Sequence, residues 1–176
     1  VIVVAVNWTA CIDVASGIVQ WNISTDLLPP NAVYRRIKAL VLEGNSQIAL
    51  AYGKKILVLD ALNGTLVWCG VMQDIIVNLF ASNNIIVIMN NAVRSVNSSS
   101  GEVLWEHVFA TNITAKDLLI NDTIVVLDGE NIVFINTSGE IIRETSLDMQ
   151  FEGRLVEIVD VDCDGVLEML VPMKNG

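Results

Sequence analysis

Asp160, Asp162, Asp164 and Glu168 fall within DVDCDGVLE, which puts four carboxylates in nine residues. Alternate positions of a looped turn can aim their oxygens at one point, and a hard cation such as Ca2+ takes several oxygens at once. Gly165 permits the sharp bend, and the carbonyl of Val166 would be the backbone ligand. The run begins as an EF-hand does, but an EF-hand places its glutamate at the twelfth position, which is Val171 here. The acid comes at the ninth position instead. The competing account is a solvated acidic turn, in which four like charges repel one another with nothing gained. No nucleophile or base accompanies the run, so the expected role of a bound ion is structural.

Elsewhere the chemistry is sparse. His107 is the one histidine, set between Glu106 and Val108 in a strand-like stretch. It is the one base on offer to a Ser-His or Cys-His arrangement, and nothing nearby marks it as catalytic. Cys11, Cys69 and Cys163 form no CxxC or CxxCH pattern, which leaves haem attachment and zinc knuckles without support. One disulfide with a spare thiol and three separate thiols both remain open.

The elements that must carry these residues repeat along the chain. DVASGIVQW (13–21), DALNGTLVW (60–68), NSSSGEVLW (97–105) and NTSGEIIR (136–143) share one plan. Asp or Asn opens a turn, Gly closes it, and in the first three Trp follows four residues after the Gly. The fourth turn is one residue shorter and carries Arg143 at the Trp position. Asp, Asn and Ser side chains bond nearby backbone N–H groups, and Gly supplies the positive φ of a tight hairpin. The flanks alternate β-branched residues with others, as strands do. Each unit holds two earlier strand-like runs, such as DIIVNLFAS and IIVIMN. About four short strands per ~40 residues is the signature of a propeller blade. An aromatic at one fixed place per unit predicts a shared packing slot between neighbouring sheets.

The fold class expected is therefore all-β, a β-propeller of four-stranded antiparallel blades with about four blade equivalents present. The blade units run approximately over 1–24, 36–70, 74–109, 115–147 and 151–176. Residues 25–35 hold Pro29 and Pro30, which forbid a central strand, and read as an inter-blade insertion. The first unit lacks an inner strand and the last lacks two outer ones, so the expectation is part of a larger propeller. The alternatives are a small closed ring and closure by a second chain.

The D-x-x-[ST/N]-G-x-x-x-W pattern after an apolar strand resembles the repeat of quinoprotein-type (PQQ-like) β-propellers over most of the chain, roughly 1–146. The D-x-D-x-D-G-x-x-E spacing resembles the calcium loop of FG-GAP (integrin α-type) propeller blades. That second resemblance implies Ca2+ ligands at Asp160, Asp162, Asp164, Val166 (through its carbonyl) and Glu168. It leaves Cys163 at a variable, outward position.

Composition bounds the function. The chain has 176 residues, is 53 % hydrophobic, and carries a net charge of −10. Such a charge repels the phosphates of nucleic acid. No apolar run approaches the ~18 residues that span a bilayer. Asn-x-Ser/Thr occurs at Asn7, Asn22, Asn63, Asn97, Asn112, Asn121 and Asn136, roughly four times what this composition produces by chance. Hairpin turns are rich in Asn and Ser in any case, which accounts for Asn63, Asn97 and Asn136. The others favour N-glycans and an extracellular or cell-surface place. These features together predict a non-catalytic module for adhesion, assembly or scaffolding. It would be partnered by another protein or by the rest of the propeller. The alternatives are a fragment of a PQQ-dependent dehydrogenase and an envelope-assembly scaffold. Against the dehydrogenase, the chain lacks the adjacent Cys-Cys pair that caps the cofactor in many of those enzymes.

Overall fold

The computed structural model describes residues 2–4, 8–24, 37–42, 46–113, 118–120, 122–147, 157–165 and 168–170. The insertion expected at 25–35 lies outside them, as do Asn7, Asn121 and Val166. Every regular element among the described residues is a strand.

Among the described residues, five antiparallel sheets follow one another along the chain. The first joins β1 (Ile2–Val4), β2 (Trp8–Ile12) and β3 (Val19–Ser24). The second joins β4 (Lys38–Leu42), β5 (Gln47–Tyr52), β6 (Lys55–Asp60) and β7 (Leu66–Val71). The third joins β8 (Ile76–Ala81), β9 (Ile85–Met89), β10 (Ala92–Val96) and β11 (Val103–Val108). The fourth joins β12 (Leu118–Ile120), β13 (Thr123–Asp128), β14 (Asn131–Asn136) and β15 (Ile141–Ser146). The fifth is the pair β16 (Glu157–Val159) and β17 (Glu168–Leu170). Within each sheet the spatial order is the chain order, up and down, as hairpin connections require. This is the blade pattern expected from the repeats.

The chain divides into two compact units, Val1–Glu106 and His107–Gly176. In the first, the middle strands are buried on both faces, which explains why IALAY and IIVIM read as continuous apolar runs, and AVRSV is buried throughout although it carries Arg94 and Ser95. Pairing alternates Ile48↔Leu59 and Leu50↔Leu57 with Ala49↔Val58 and Ala51↔Ile56. Ile48, Leu50 and Leu59 pack with Trp21 of the first sheet. Ala49, Ala51, Ile56 and Val58 pack with Met72, Leu79, Val87 and Met89 on the way to and within the third. Both faces of the second sheet thus hold neighbours, at about 25 cal/mol for each Å2 of apolar surface removed from water. The second unit has its own smaller core, in which Val125, Leu127 and Ile132 meet Phe134, Leu147 and Met169.

Candidate functional site: the tryptophan-seated turns and the acidic hairpin

The four repeat turns have one hydrogen-bond scheme. The Gly N–H of 17, 64, 101 and 139 donates to the carbonyl of Asp13, Asp60, Asn97 and Asn136, at 2.8–3.0 Å. Those opening residues donate in return to the carbonyl just past the glycine, of Ile18, Thr65, Glu102 and Glu140. Their side chains cap the turn. Oδ1 of Asp13 accepts from the N–H and hydroxyl of Ser16, and Oδ1 of Asp60 from the N–H groups of Leu62 and Asn63. Oδ1 of Asn97 accepts from Ser99 and Ser100, and Oδ1 of Asn136 from Glu140 and the Ser138 hydroxyl. The hydrogen bonds from Ser16, side chain first and backbone second, hold the Asp13 carboxyl below its ordinary range. A register shift at Cys11/Ile12, Val58/Leu59 and Phe134/Ile135 precedes the turn in three sheets. It is the one-residue bulge that a closing glycine in the left-handed region produces.

The tryptophans use those turns. Trp21 leaves the outer strand of the first sheet and lies on Gly64 of the second. A Cβ built on Gly64 would meet its ring carbons at 2.6 and 2.7 Å. Its indole Nε1 donates to the carbonyl of Ala61 at 2.8 Å. Trp68 does the same one sheet later, over Gly101, with Nε1 to the carbonyl of Ser98 at 2.7 Å. The glycine therefore has two jobs: its φ of +75° or +74° closes the turn, and its missing side chain admits the ring. The slot foreseen from the spacing is this turn.

The acidic run forms the β16–β17 hairpin, with Val159 paired to Glu168 at its base. Glu168 Oε2 accepts from the Val161 N–H at 2.7 Å, and Asp160 accepts from the N–H groups of Asp164 and Gly165 at 3.0 and 2.9 Å. Cys163 takes φ 62° and Gly165 φ 86° at the bend. Asp160, Asp162 and Glu168 each offer one oxygen, and these three oxygens lie within 4.8 Å of one another. That spacing fits one cation with ligands at 2.3–2.6 Å. Asp164 is in the loop but outside that group, and the expected Val166 carbonyl falls outside the described residues.

The remaining residues of interest are placed as follows. His107 Nε2 lies 2.7 Å from the Gly139 carbonyl, at another of the repeat turns. Cys11, Cys69 and Cys163 are all free thiols. Asn22, Asn63 and Asn112 are exposed, whereas Asn97 and Asn136 are half-buried in their turns. The Asn136 amide also donates to Glu140. One buried feature had no sequence signal beyond charge. Arg94, on the central strand β10, bonds Glu106 through Nε at 3.1 Å and Nη2 at 2.5 Å, with Nη1 against the Met72 sulfur.

Similarity to known proteins agrees with this geometry. The crystal structure of BamB from Moraxella catarrhalis superposes with a TM-score of 0.63 at 17 % identity, over 88 % of this chain and 47 % of that one. The Pan2 WD40 domain of Neurospora crassa gives 0.60 at 17 %, over 85 % and 50 %. The computationally designed Ika4 protein gives 0.56 at 17 %, over 85 % and 99 %. The chain spans about half the length of the two natural propellers. No curated protein matches it. Residues 1–142 match the family described as outer membrane protein assembly factor BamB. With its tryptophan-seated Gly turns and consecutive four-stranded sheets, the chain belongs to that family of PQQ-like β-propellers.

Proposed function

We propose that the protein is a non-catalytic scaffold for protein assembly at the cell envelope. The observation that carries this is the outer strand of each of the first four sheets. Just after the turn glycine, the outer strands of the second, third and fourth sheets present exposed aliphatic side chains two and three residues on, Leu66 and Val67, Val103 and Leu104, Ile141 and Ile142, and the first sheet presents Ile18 and Val19 one and two residues on. Exposed large apolar groups recurring just past each repeat glycine suit the binding of other polypeptides. The polar side chains of the repeats are meanwhile spent on holding turns. Family membership favours assembly over the adhesion role, since the family is described by an assembly factor. The β16–β17 hairpin then takes Ca2+ through Asp160, Asp162 and Glu168, with Asp164 and the Val166 carbonyl completing the set. The ion offsets the mutual repulsion of the carboxylates and fixes the hairpin. Exposed Asn22, Asn63 and Asn112 are the proposed glycan acceptors.

The test is capture of envelope proteins on the immobilised chain, beside a variant with Leu66, Val103 and Ile141 all changed to Lys. Capture of identified envelope-assembly proteins that the variant loses supports the reading. Equal capture by the variant, or dye reduction by the chain with added PQQ and an alcohol, would overturn it.

A further inference from the structure

Three of the repeat turns place serine before the closing glycine, at Ser16, Ser100 and Ser138, and the second places Asn63 there. Apart from Asn175–Gly176 at the end, Asn63–Gly64 is the one Asn-Gly pair in the sequence. An asparagine side chain can be attacked by the backbone nitrogen of the residue that follows it. A following glycine leaves that approach unhindered, because it has no side chain.

The turn presents both reacting groups. Asn63 is exposed, so water reaches its amide and ammonia can leave. Its Oδ1 accepts from the Thr65 N–H at 2.8 Å, and a donor aimed at that oxygen stabilises the charge that gathers there as nitrogen adds to the carbon. The nucleophile is held back. The Gly64 N–H donates to the Asp60 carbonyl at 2.9 Å. Gly64 is also buried beneath Trp21, whose Nε1 donates to the Ala61 carbonyl of the same turn at 2.8 Å. The electrophile is therefore open to solvent, while the nucleophile is free only in a locally opened turn.

We propose that Asn63 is a site of spontaneous covalent modification, by succinimide formation with Gly64, and that the hold of Trp21 on the turn sets its rate. On opening, a base takes the Gly64 amide proton and the nitrogen attacks Asn63 Cγ. The new Cγ–N bond closes an imide ring, and the Cγ–Nδ2 bond breaks with that nitrogen leaving as ammonia. Water then opens the ring. Addition at Cγ leaves an aspartyl side chain, and addition at the main-chain carbonyl leaves an isoaspartyl linkage. No oxidant or reductant takes part. Either product sets a new carboxylate in the turn of Asp60, whose Oδ1 already takes the N–H groups of Leu62 and Asn63, and like charges so placed repel. The isoaspartyl linkage also runs the main chain through the side-chain methylene, which lengthens the turn and shifts Gly64 from beneath the ring. The reaction thus loosens the contact between the first and second sheets. An N-glycan on Asn63 occupies Nδ2 and blocks the step, so the two modifications exclude one another.

The experiment ages the 176-residue chain at neutral pH, made in a host that attaches no N-glycans. Peptide mass spectrometry follows each asparagine, and enzymatic methylation counts isoaspartyl linkages. Conversion is expected at Asn63, far ahead of Asn22, which is also exposed but precedes the β-branched Ile23. Trp21→Phe keeps an aromatic ring in place and removes the indole N–H, so it should speed conversion at Asn63 severalfold. Trp68→Phe makes the same change at the next turn, and should leave the Asn63 rate at that of the parent. Absence of conversion at Asn63 in both the parent and Trp21→Phe would overturn the proposal, as would conversion no faster than at Asn22. Equal rates in the parent and Trp21→Phe would overturn it too. So would equal acceleration by the two substitutions, which would mark a general loosening of the fold in place of the Trp21 contact.

Discussion

Gly64→Ala tests the seating of Trp21 directly, because Gly17→Ala in the 176-residue chain supplies the same backbone change without the ring. Both glycines sit in the left-handed region, at φ +75° and +70°, where an L-residue costs about 1–2 kcal/mol. That strain is all Gly17→Ala should lose, since nothing among the described residues lies within 4 Å. At Gly64 the new methyl would sit 2.6 Å from Trp21 Cε3 and 2.7 Å from Cδ2. Neither the turn nor the rigid indole can yield that much, so the ring must leave. Its Nε1 bond to Ala61 goes with it, at about 1 kcal/mol, along with part of the burial of a side chain only 8 % exposed. Removing a buried Trp entirely costs about 3–5 kcal/mol. Partial displacement plus the strain puts Gly64→Ala at about 3–5 kcal/mol, roughly 2–3 more than Gly17→Ala. With a urea dependence of about 1–3 kcal/mol per molar, the midpoints should differ by roughly 1 M. The assay is urea unfolding of residues 1–176, followed by far-UV circular dichroism so that the indole change itself does not confuse the signal. Equal midpoints for the two variants would refute the seating as a source of stability.

Three further outcomes are expected. Arg94 and Glu106 have side chains 9 % and 26 % exposed, so Glu106→Leu strands a buried cation and should cost about 3 kcal/mol, whereas the Arg94→Met, Glu106→Leu double variant should stay within about 1 kcal/mol of the parent; a double-mutant unfolding cycle decides it. Calorimetric titration with Ca2+ should show one site with a Kd of about 10⁻⁴–10⁻³ M, abolished in an Asp160→Asn, Asp162→Asn variant; a parent that gives no binding heat removes the calcium assignment. Asp13 has its folded pKa lowered, so its contribution is present above the ordinary value of 3.8 and is lost as pH falls through the lower folded value; Ser16→Ala should raise that pKa toward 3.8, read by NMR titration of the carboxyl.

The turns were the most legible part of the molecule because their causes are local. An Asp or Asn at the start, a glycine at the end and bonds spanning three to five residues leave a pattern that survives in one dimension. The same holds for the hairpin nature of DVDCDGVLE, flanked by apolar strands on both sides. The disposition of its carboxylates was legible only in outline. Four carboxylates are visible in the run, but the curvature at Cys163 and Gly165 brings three of them together and leaves Asp164 outside the group.

Residue types and spacing alone therefore determined the unit: four repeats, their turn chemistry, and a tryptophan due at a fixed step beyond the glycine. Tertiary structure decided where that tryptophan goes. Trp21 finds its carbonyl 40 residues away and Trp68 finds its own 30 away, and no local spacing encodes a partner in another sheet. The same holds for Arg94, an ordinary polar residue in sequence that is buried because both faces of its sheet's middle strands are covered. The open turn at Gly17 is the sharpest case. Its residues match those of the filled turns, and only the packing of one sheet on the next distinguishes a turn that holds a ring from one with nothing described within 4 Å of its glycine.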